Sequence, residues 1–208
     1  PSATPIYNPD AHTLTLQQGV RGYFGTNDFW MGAGSPSTTH ALEPILRIGS
    51  SSHDTVARAV ISFNQELLPP NADILGAWLE LYLNDRSNDA PLAVSVHVMR
   101  RGWAAAAATW QQANAGQAWN LPGASSPADH DPQPLDIQNL PSQPGWLRWD
   151  VTQAIRRWLV EPTANYGFLF KGDGPTSVQV GFNSAERIWS GAIPTAGRPR
   201  LVIVYRTP

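Results

Sequence analysis

Histidine is the side chain most able to bind a metal or move a proton near neutral pH, and this 208-residue chain has 5 of them: His12, His40, His53, His97 and His130. No two stand at a metal-ligand spacing such as i, i+4 on a helix. His97 lies in a strand pattern, on the face opposite Val94, Val96 and Val98. Asp129-His130-Asp131 is the one run that joins carboxylates to an imidazole. Neighbours in extended chain point apart, so the triplet reads as a polar loop rather than a catalytic set. Ser184 and Glu186 sit in no nucleophile elbow. There is no cysteine, which removes disulfides, thiolate metal sites and cysteine nucleophiles. No catalytic residue, cofactor-binding residue or metal ligand is assigned, and the protein reads as a non-enzyme.

Two oxygen-rich places are compatible with a structural calcium ion. One is the turn Asn84-Asp85-Arg86-Ser87-Asn88-Asp89. The other is the pair Asp28 and Glu186, if the fold brings them together. A calcium loop usually concentrates more carboxylates than either. A solvated Asn/Asp turn accounts for the first.

The remaining chemistry is aromatic. The chain has 9 tryptophans, and Trp30, Trp110, Trp119, Trp146 and Trp189 fall in or near loops. Such rings cover the apolar face of a sugar or anchor a protein interface. Arg100, Arg101 and Arg148 would serve beside them if the polymer were acidic.

These residues are carried on a β-rich framework. Apolar residues alternate in short runs bounded by Gly, Pro, Asn and Asp over residues 13–17, 45–49, 56–63, 74–83, 92–98 and 201–205. Many short strands separated by turns imply an all-β, antiparallel sandwich. In 74–83 the pattern puts Leu75, Ala77, Leu79, Leu81 and Leu83 on one face and Trp78, Glu80 and Tyr82 on the other. Segments 45–49 and 56–63 read as a hairpin. The run Ala104 to Ala108 suits one helical turn. Residues 116–143, rich in proline, form a long loop bracketed by Trp119 and Trp146. One segment departs from the period of two: Val151, Ala154, Ile155, Trp158 and Leu159 recur at helical spacing. Asp150 or Thr152 is placed to cap that helix, and Pro162 follows its end.

Charged residues make up only 14% of the chain, and the net charge is -2. That provides no basic field for nucleic acid. No apolar run approaches the ~20 residues that span a bilayer. The sequence starts at Pro1, without an initiator Met, which fits a processed, exported protein.

The ordered features resemble the DNRLRE domain family of secreted bacterial and archaeal proteins. The matching residues run from Leu16-Gln17-Gln18-Gly19 and Gly25-Thr26-Asn27-Asp28 through Leu46-Arg47-Ile48-Gly49 and Ala77-Trp78-Leu79-Glu80-Leu81-Tyr82. They continue in Trp149-Asp150-Val151-Thr152, Asn165-Tyr166-Gly167-Phe168, Phe182-Asn183-Ser184-Ala185-Glu186 and Arg198-Pro199-Arg200-Leu201. The resemblance implies a jelly-roll β-sandwich in extracellular or cell-surface proteins, a non-catalytic role, and carbohydrate binding in some members. It gives no fixed set of site residues.

Two functions follow as expectations. In the first, the protein is a self-assembling surface, filament or matrix subunit that meets copies of itself. Residues 12–208 would form one domain, and the extension 1–11 would dock through Ile6 and Tyr7 on a neighbour's sheet edge. In the second, it is a module that binds polysaccharide through exposed Trp and Arg.

Overall fold

A computed structural model describes residues 10–51, 55–172, 177–187 and 195–207. The described chain is an antiparallel β-sandwich with thirteen strands and one α-helix. The strands are β1 (His12–Gln17), β2 (Thr26–Gly32), β3 (Ile45–Ser50), β4 (Val56–Phe63), β5 (Asp73–Arg86), β6 (Ala93–Val98), β7 (Gln112–Asn114), β8 (Gln117–Ala118), β9 (Asp136–Asn139), β10 (Gly145–Asp150), β11 (Phe168–Lys171), β12 (Gln179–Asn183) and β13 (Arg200–Arg206). Eleven of them hydrogen-bond into one curled sheet, in the order β1-β13-β5-β12-β3-β4-β11-β6-β9, with β10 on β5 and β2 on β4. β7 and β8 form a separate small ribbon.

β5 is the longest strand and organises one wall. β13 pairs with it on one edge, so that Arg200 faces Glu80. β10 pairs on the other edge, so that Arg148 also faces Glu80 and Trp146 faces Tyr82. The register with β13 slips between Val204 and Tyr205, which face Gly76 and Ile74. The skipped residue, Leu75, is bulged. A bulge reverses the side-chain alternation beyond it. Ile74 is therefore buried and Leu75 turns outward, which corrects the face read for Leu75 from alternation alone.

β3 and β4 pair only at Gly49–Ala57 and Ser50–Val56. Beyond that point β3 leaves for β12, and β4 lies between β2 and β11. Gly49 marks the departure. Its φ is +101°, and a Cβ there would lie 2.2 Å from the Val178 carbonyl oxygen, so only glycine fits.

The strands enclose a large core in which Ile48, Ile61, Leu79, Leu81, Trp149, Phe168, Phe170 and Phe182 are fully or almost fully buried. Trp149 anchors it, donating Nε1–H to the Val94 carbonyl at 2.9 Å. On β4 and β11 the alternate residues are buried as well. Ala59, Ile61, Phe168 and Phe170 face this core, while Val60 and Leu169 face a second one with Phe29 and Met31. The second core exists because residues 99–135 fold back over the outside of β2, β4 and β11. That excursion contributes Met99, Ala108, Ala113, Trp119 and Ala124. Burial on both faces explains why 56–63 reads as a continuous apolar run.

Helix α1 (Thr152–Val160) buries Ala154, Ile155 and Trp158, as the spacing predicts. Its N-cap position falls on Val151, which has no side-chain acceptor. Asp150 Oδ1 instead accepts the Thr152 N–H at 2.9 Å. The Thr152 hydroxyl accepts the Ala77 N–H at 2.9 Å and so fastens the helix to β5.

Candidate functional site

The excursion 99–135 leaves part of the outer face of β2 and β4 uncovered. There Asn27 and Ser62 stand side by side as cross-strand partners, Asn27 exposed and Ser62 half-buried. Asn165, held by a bond from its Nδ2–H to the Phe63 carbonyl at 3.1 Å, joins them. These three residues line two adjoining cavities of about 750 Å³ each. Together the cavities make one groove with Asn27, Ser62 and Asn165 as the shared floor.

One half of the groove runs between the 39–43 segment and the 102–106 turn. Here the walls are largely apolar: Leu42 is 86% exposed and Tyr166 is 37% exposed. The Ala104–Ala108 run makes a single helical turn, closed by the Ala108 N–H on the Ala104 carbonyl at 2.7 Å. Trp103 is fixed beside it, its Nε1–H on the Tyr166 carbonyl at 2.7 Å and its ring 5.1 Å from Phe29. Behind the other wall His40 stacks on Trp30 at 3.7 Å. Glu43 accepts from both rings, at 2.6 Å from His40 Nδ1 and 2.8 Å from Trp30 Nε1. The second half runs between Phe24, the 64–66 turn and the end of α1 at Leu159 and Pro162. Phe24 is 75% exposed.

The groove therefore offers amide and hydroxyl groups on its floor and apolar or aromatic surface on its sides. That combination suits a ligand with a polar edge and apolar ring faces.

The loop tryptophans read from the sequence are dispersed. Trp30 does not line the groove; it lies behind the wall, stacked on His40 and bonded to Glu43. Trp110 is half-buried below Arg58, whose guanidinium lies 5.4 Å from its ring. Trp119 is in the second core and donates Nε1–H to the Thr109 carbonyl at 2.8 Å. Trp146 lies on the outer side of β10, far from the groove in the sheet order. Trp189, Ile6, Tyr7 and His53 lie outside the described residues.

Around Trp146 is a ladder of rings and guanidinium groups. Arg200 stacks on Trp146 at 4.1 Å, and Arg148 stacks on Trp78 at 4.2 Å. Both reach Glu80, Arg200 at 2.5 Å and Arg148 at 3.5 Å. Each ring thus already carries one of the protein's own cations, although Trp146 remains 37% exposed.

The polar runs serve the fold. Asp129 is fully buried and accepts from the backbone and side chain of Asn120, at 3.0 and 2.8 Å, and from the Leu121 N–H at 3.2 Å. Burial opposes its charge, but these bonds and Arg101 outweigh burial and hold its carboxyl below the usual range. Asp131 pairs with Arg100 instead. His130 packs edge-on against His97 at 5.1 Å. The run 84–89 is not all turn: residues 84–86 are the end of β5, where Asp85 pairs with Arg47. The Arg86 guanidinium takes the carbonyls of Asn88, Ala90 and Pro141, each at 2.6 Å. Asp28 and Glu186 do meet. Asp28 is buried, and its Oδ2 accepts the Ala185 N–H at 2.8 Å. Burial first, and the Glu186 charge second, push its carboxyl well above the usual range. Among the described residues, no group of three or more His, Cys, Asp or Glu side chains gathers to hold a metal.

Comparison with known families gives a match over residues 23–192 to the model of carbohydrate-binding module family 96. The chain belongs to that family. The matched span contains the whole groove, from Phe24 to Tyr166. The comparisons do not carry the DNRLRE name suggested by resemblance, and no curated protein matches the chain. Among the described residues of this family 96 module, no helix is long and apolar enough to cross a membrane.

Sequence reasoning did not single out the groove's floor. Asn27 stands between Thr26 and Asp28 in β2, and Ser62 stands near the end of the apolar run of β4, so neither is marked out by its neighbours. Only the β2–β4 register sets them together.

Proposed function

We propose that this protein binds a polysaccharide without transforming it, and that the groove across β2 and β4 is its binding site. The observation that carries the reading is the joining of two apolar-walled cavities over one amide and hydroxyl floor. Each cavity alone is the size of a small-molecule site, so the joined groove suits several sugar units. Family membership supports carbohydrate as the ligand. A polysaccharide ligand also fits work outside the cell or at its surface. The aromatic ladder around Trp146 is the weaker candidate, because each ring already carries an arginine, those arginines are paired with Glu80, and the ladder lines neither of the two cavities. Assembly with copies of itself has no comparable support: Ile6 and Tyr7, its proposed anchors, lie outside the described residues.

The test is native-gel electrophoresis through a panel of dissolved polysaccharides. Tyr166→Ala and Asn27→Ala should each reduce the retardation seen with the intact protein. Trp146→Ala should leave it unchanged. Retardation abolished by Trp146→Ala and untouched by the groove variants would move the site to the ladder.

A further inference from the structure

We propose that Asp28 and Glu186, with Asn183 beside them, hold a calcium ion that ties β2 to the segment 183–187. The geometry starts from oxygens that the fold buries without using. Asp28 is 2% exposed and Asn183 is fully buried. Asp28 Oδ2 accepts the Ala185 N–H at 2.8 Å, but its Oδ1 has no hydrogen-bond partner among the described residues. Glu186, half-buried next to Ala185, likewise has a buried Oε2 without a partner there. Asn183 donates Nδ2–H to the Gly197 carbonyl at 3.2 Å and leaves its Oδ1 in the same state. A buried acceptor with no donor is costly. Here three belong to one short stretch of chain and the strand residue it docks on.

The nearby arginine does not satisfy them. The charge of Arg198 reaches Asp28, but burial and Glu186 outweigh it. Its guanidinium is bonded to carbonyls, through Nε to Arg187 at 2.8 Å and through a terminal nitrogen to Gln18 at 3.1 Å. A proton shared by the two carboxyls would join Asp28 to Glu186 but would leave the Asn183 oxygen as it is. Calcium serves all three. It takes about six to eight oxygens from carboxylates, amides and water in flexible geometry, and its two charges match the two carboxylates. Magnesium demands a smaller, stricter shell. Asp28 is the ladder partner of Ile61, whose side chain is in the main core, and successive strand residues point to opposite sides. The ion therefore belongs behind Asn27 and the groove floor, where it fixes the strand and contacts no sugar. The proposal stands whether or not the groove is the binding site.

The experiment uses the full chain, dialysed against EDTA and then against plain buffer, with elemental analysis to check that calcium has been removed. Calorimetric titration with calcium chloride should give one site, with a Kd of roughly 0.1–1 mM for so few carboxylates. At calcium about tenfold above that Kd, Tm should rise by roughly 3–6 °C relative to sodium chloride at equal ionic strength. Magnesium should give a smaller rise; an equal one would overturn the choice of calcium. Asp28→Asn and Glu186→Gln should each weaken calcium binding by about tenfold or more and lose the rise. Asp28→Asn keeps an acceptor for the Ala185 N–H, and without calcium it should melt at or above wild type, which shows that it is folded. Asp89→Asn, in the other oxygen-rich run, should bind as wild type does. No heat and no Tm shift in wild type would overturn the proposal and leave a shared proton to hold the pair. A shift that survives both Asp28→Asn and Glu186→Gln would overturn the site.

Discussion

Acid should loosen the excursion that shapes the groove before it unfolds the main core, and His130 is the group that makes this so. Its ring is 3% exposed. Nδ1 donates to the Ala124 carbonyl at 2.8 Å. Burial, then the charge of Lys171, with smaller contributions from His97 and Arg58, push its pKa from 6.5 down to about 4. The fold therefore favours the neutral ring. A group lowered in this way contributes stability that is fully present above its unfolded value of 6.5 and is lost as pH falls toward about 4. At roughly 1.4 kcal/mol per pH unit, that interval corresponds to about 3 kcal/mol as an upper bound. His130→Asn should keep a donor for Ala124 and remove the titration. The measurement is urea unfolding at pH 7, 5.5 and 4.5 for both proteins. Hydrogen exchange of the Asp131 amide, bonded to the Val98 carbonyl at 2.8 Å, provides a local readout. Wild type should lose stability relative to His130→Asn as pH falls, and the Asp131 amide should lose protection first. Parallel losses in the two proteins would refute the reasoning.

Asp28 should show the opposite pH dependence. Its raised carboxyl favours the protonated form, so stability is greatest below the ordinary value of 3.8 and is lost as pH rises toward its folded value. Asp28→Asn, which can still accept the Ala185 N–H, should gain on wild type between pH 4 and pH 7 in denaturant titrations; a variant that falls behind over that range would refute the pairing with Glu186. Gly123 has φ +71°, and a Cβ there would lie 2.5 Å from the Trp110 ring. Gly123→Ala should therefore cost about 1–3 kcal/mol in a thermal melt, and an unchanged Tm would contradict it. Trp149→Ala removes the centre of the main core and its bond to Val94. A loss of roughly 3–5 kcal/mol is expected by urea unfolding, and less than about 1 kcal/mol would mean that the core lies elsewhere.

Local pattern was enough for the elements themselves. The period of two in 201–205 and 92–98 and the period near 3.6 in α1 arise from how successive side chains point along a strand or helix, so they are legible wherever one face is buried. The same rule failed at Leu75, because a bulge depends on the partner strand's register and on Gly76 lying beneath the Trp78 ring. It was uninformative at β4 and β11, where a second core hides both faces. Polar residues divided in the same way. Asp129-His130-Asp131 reads as a loop in sequence, and in the fold its residues go to three different partners. The groove was not legible. Asn27, Ser62 and Asn165 are separated by 35 and 103 positions, and they share one floor only because β4 pairs with β2 while the chain returns past α1. Nor could composition tell which tryptophans stay free. Arg148 stacks on Trp78 and Arg200 on Trp146, whereas Trp119 is buried in the second core and Tyr166 lines the groove. Alternation determined the strands; long-range pairing and the path of residues 99–135 decided where a ligand can bind.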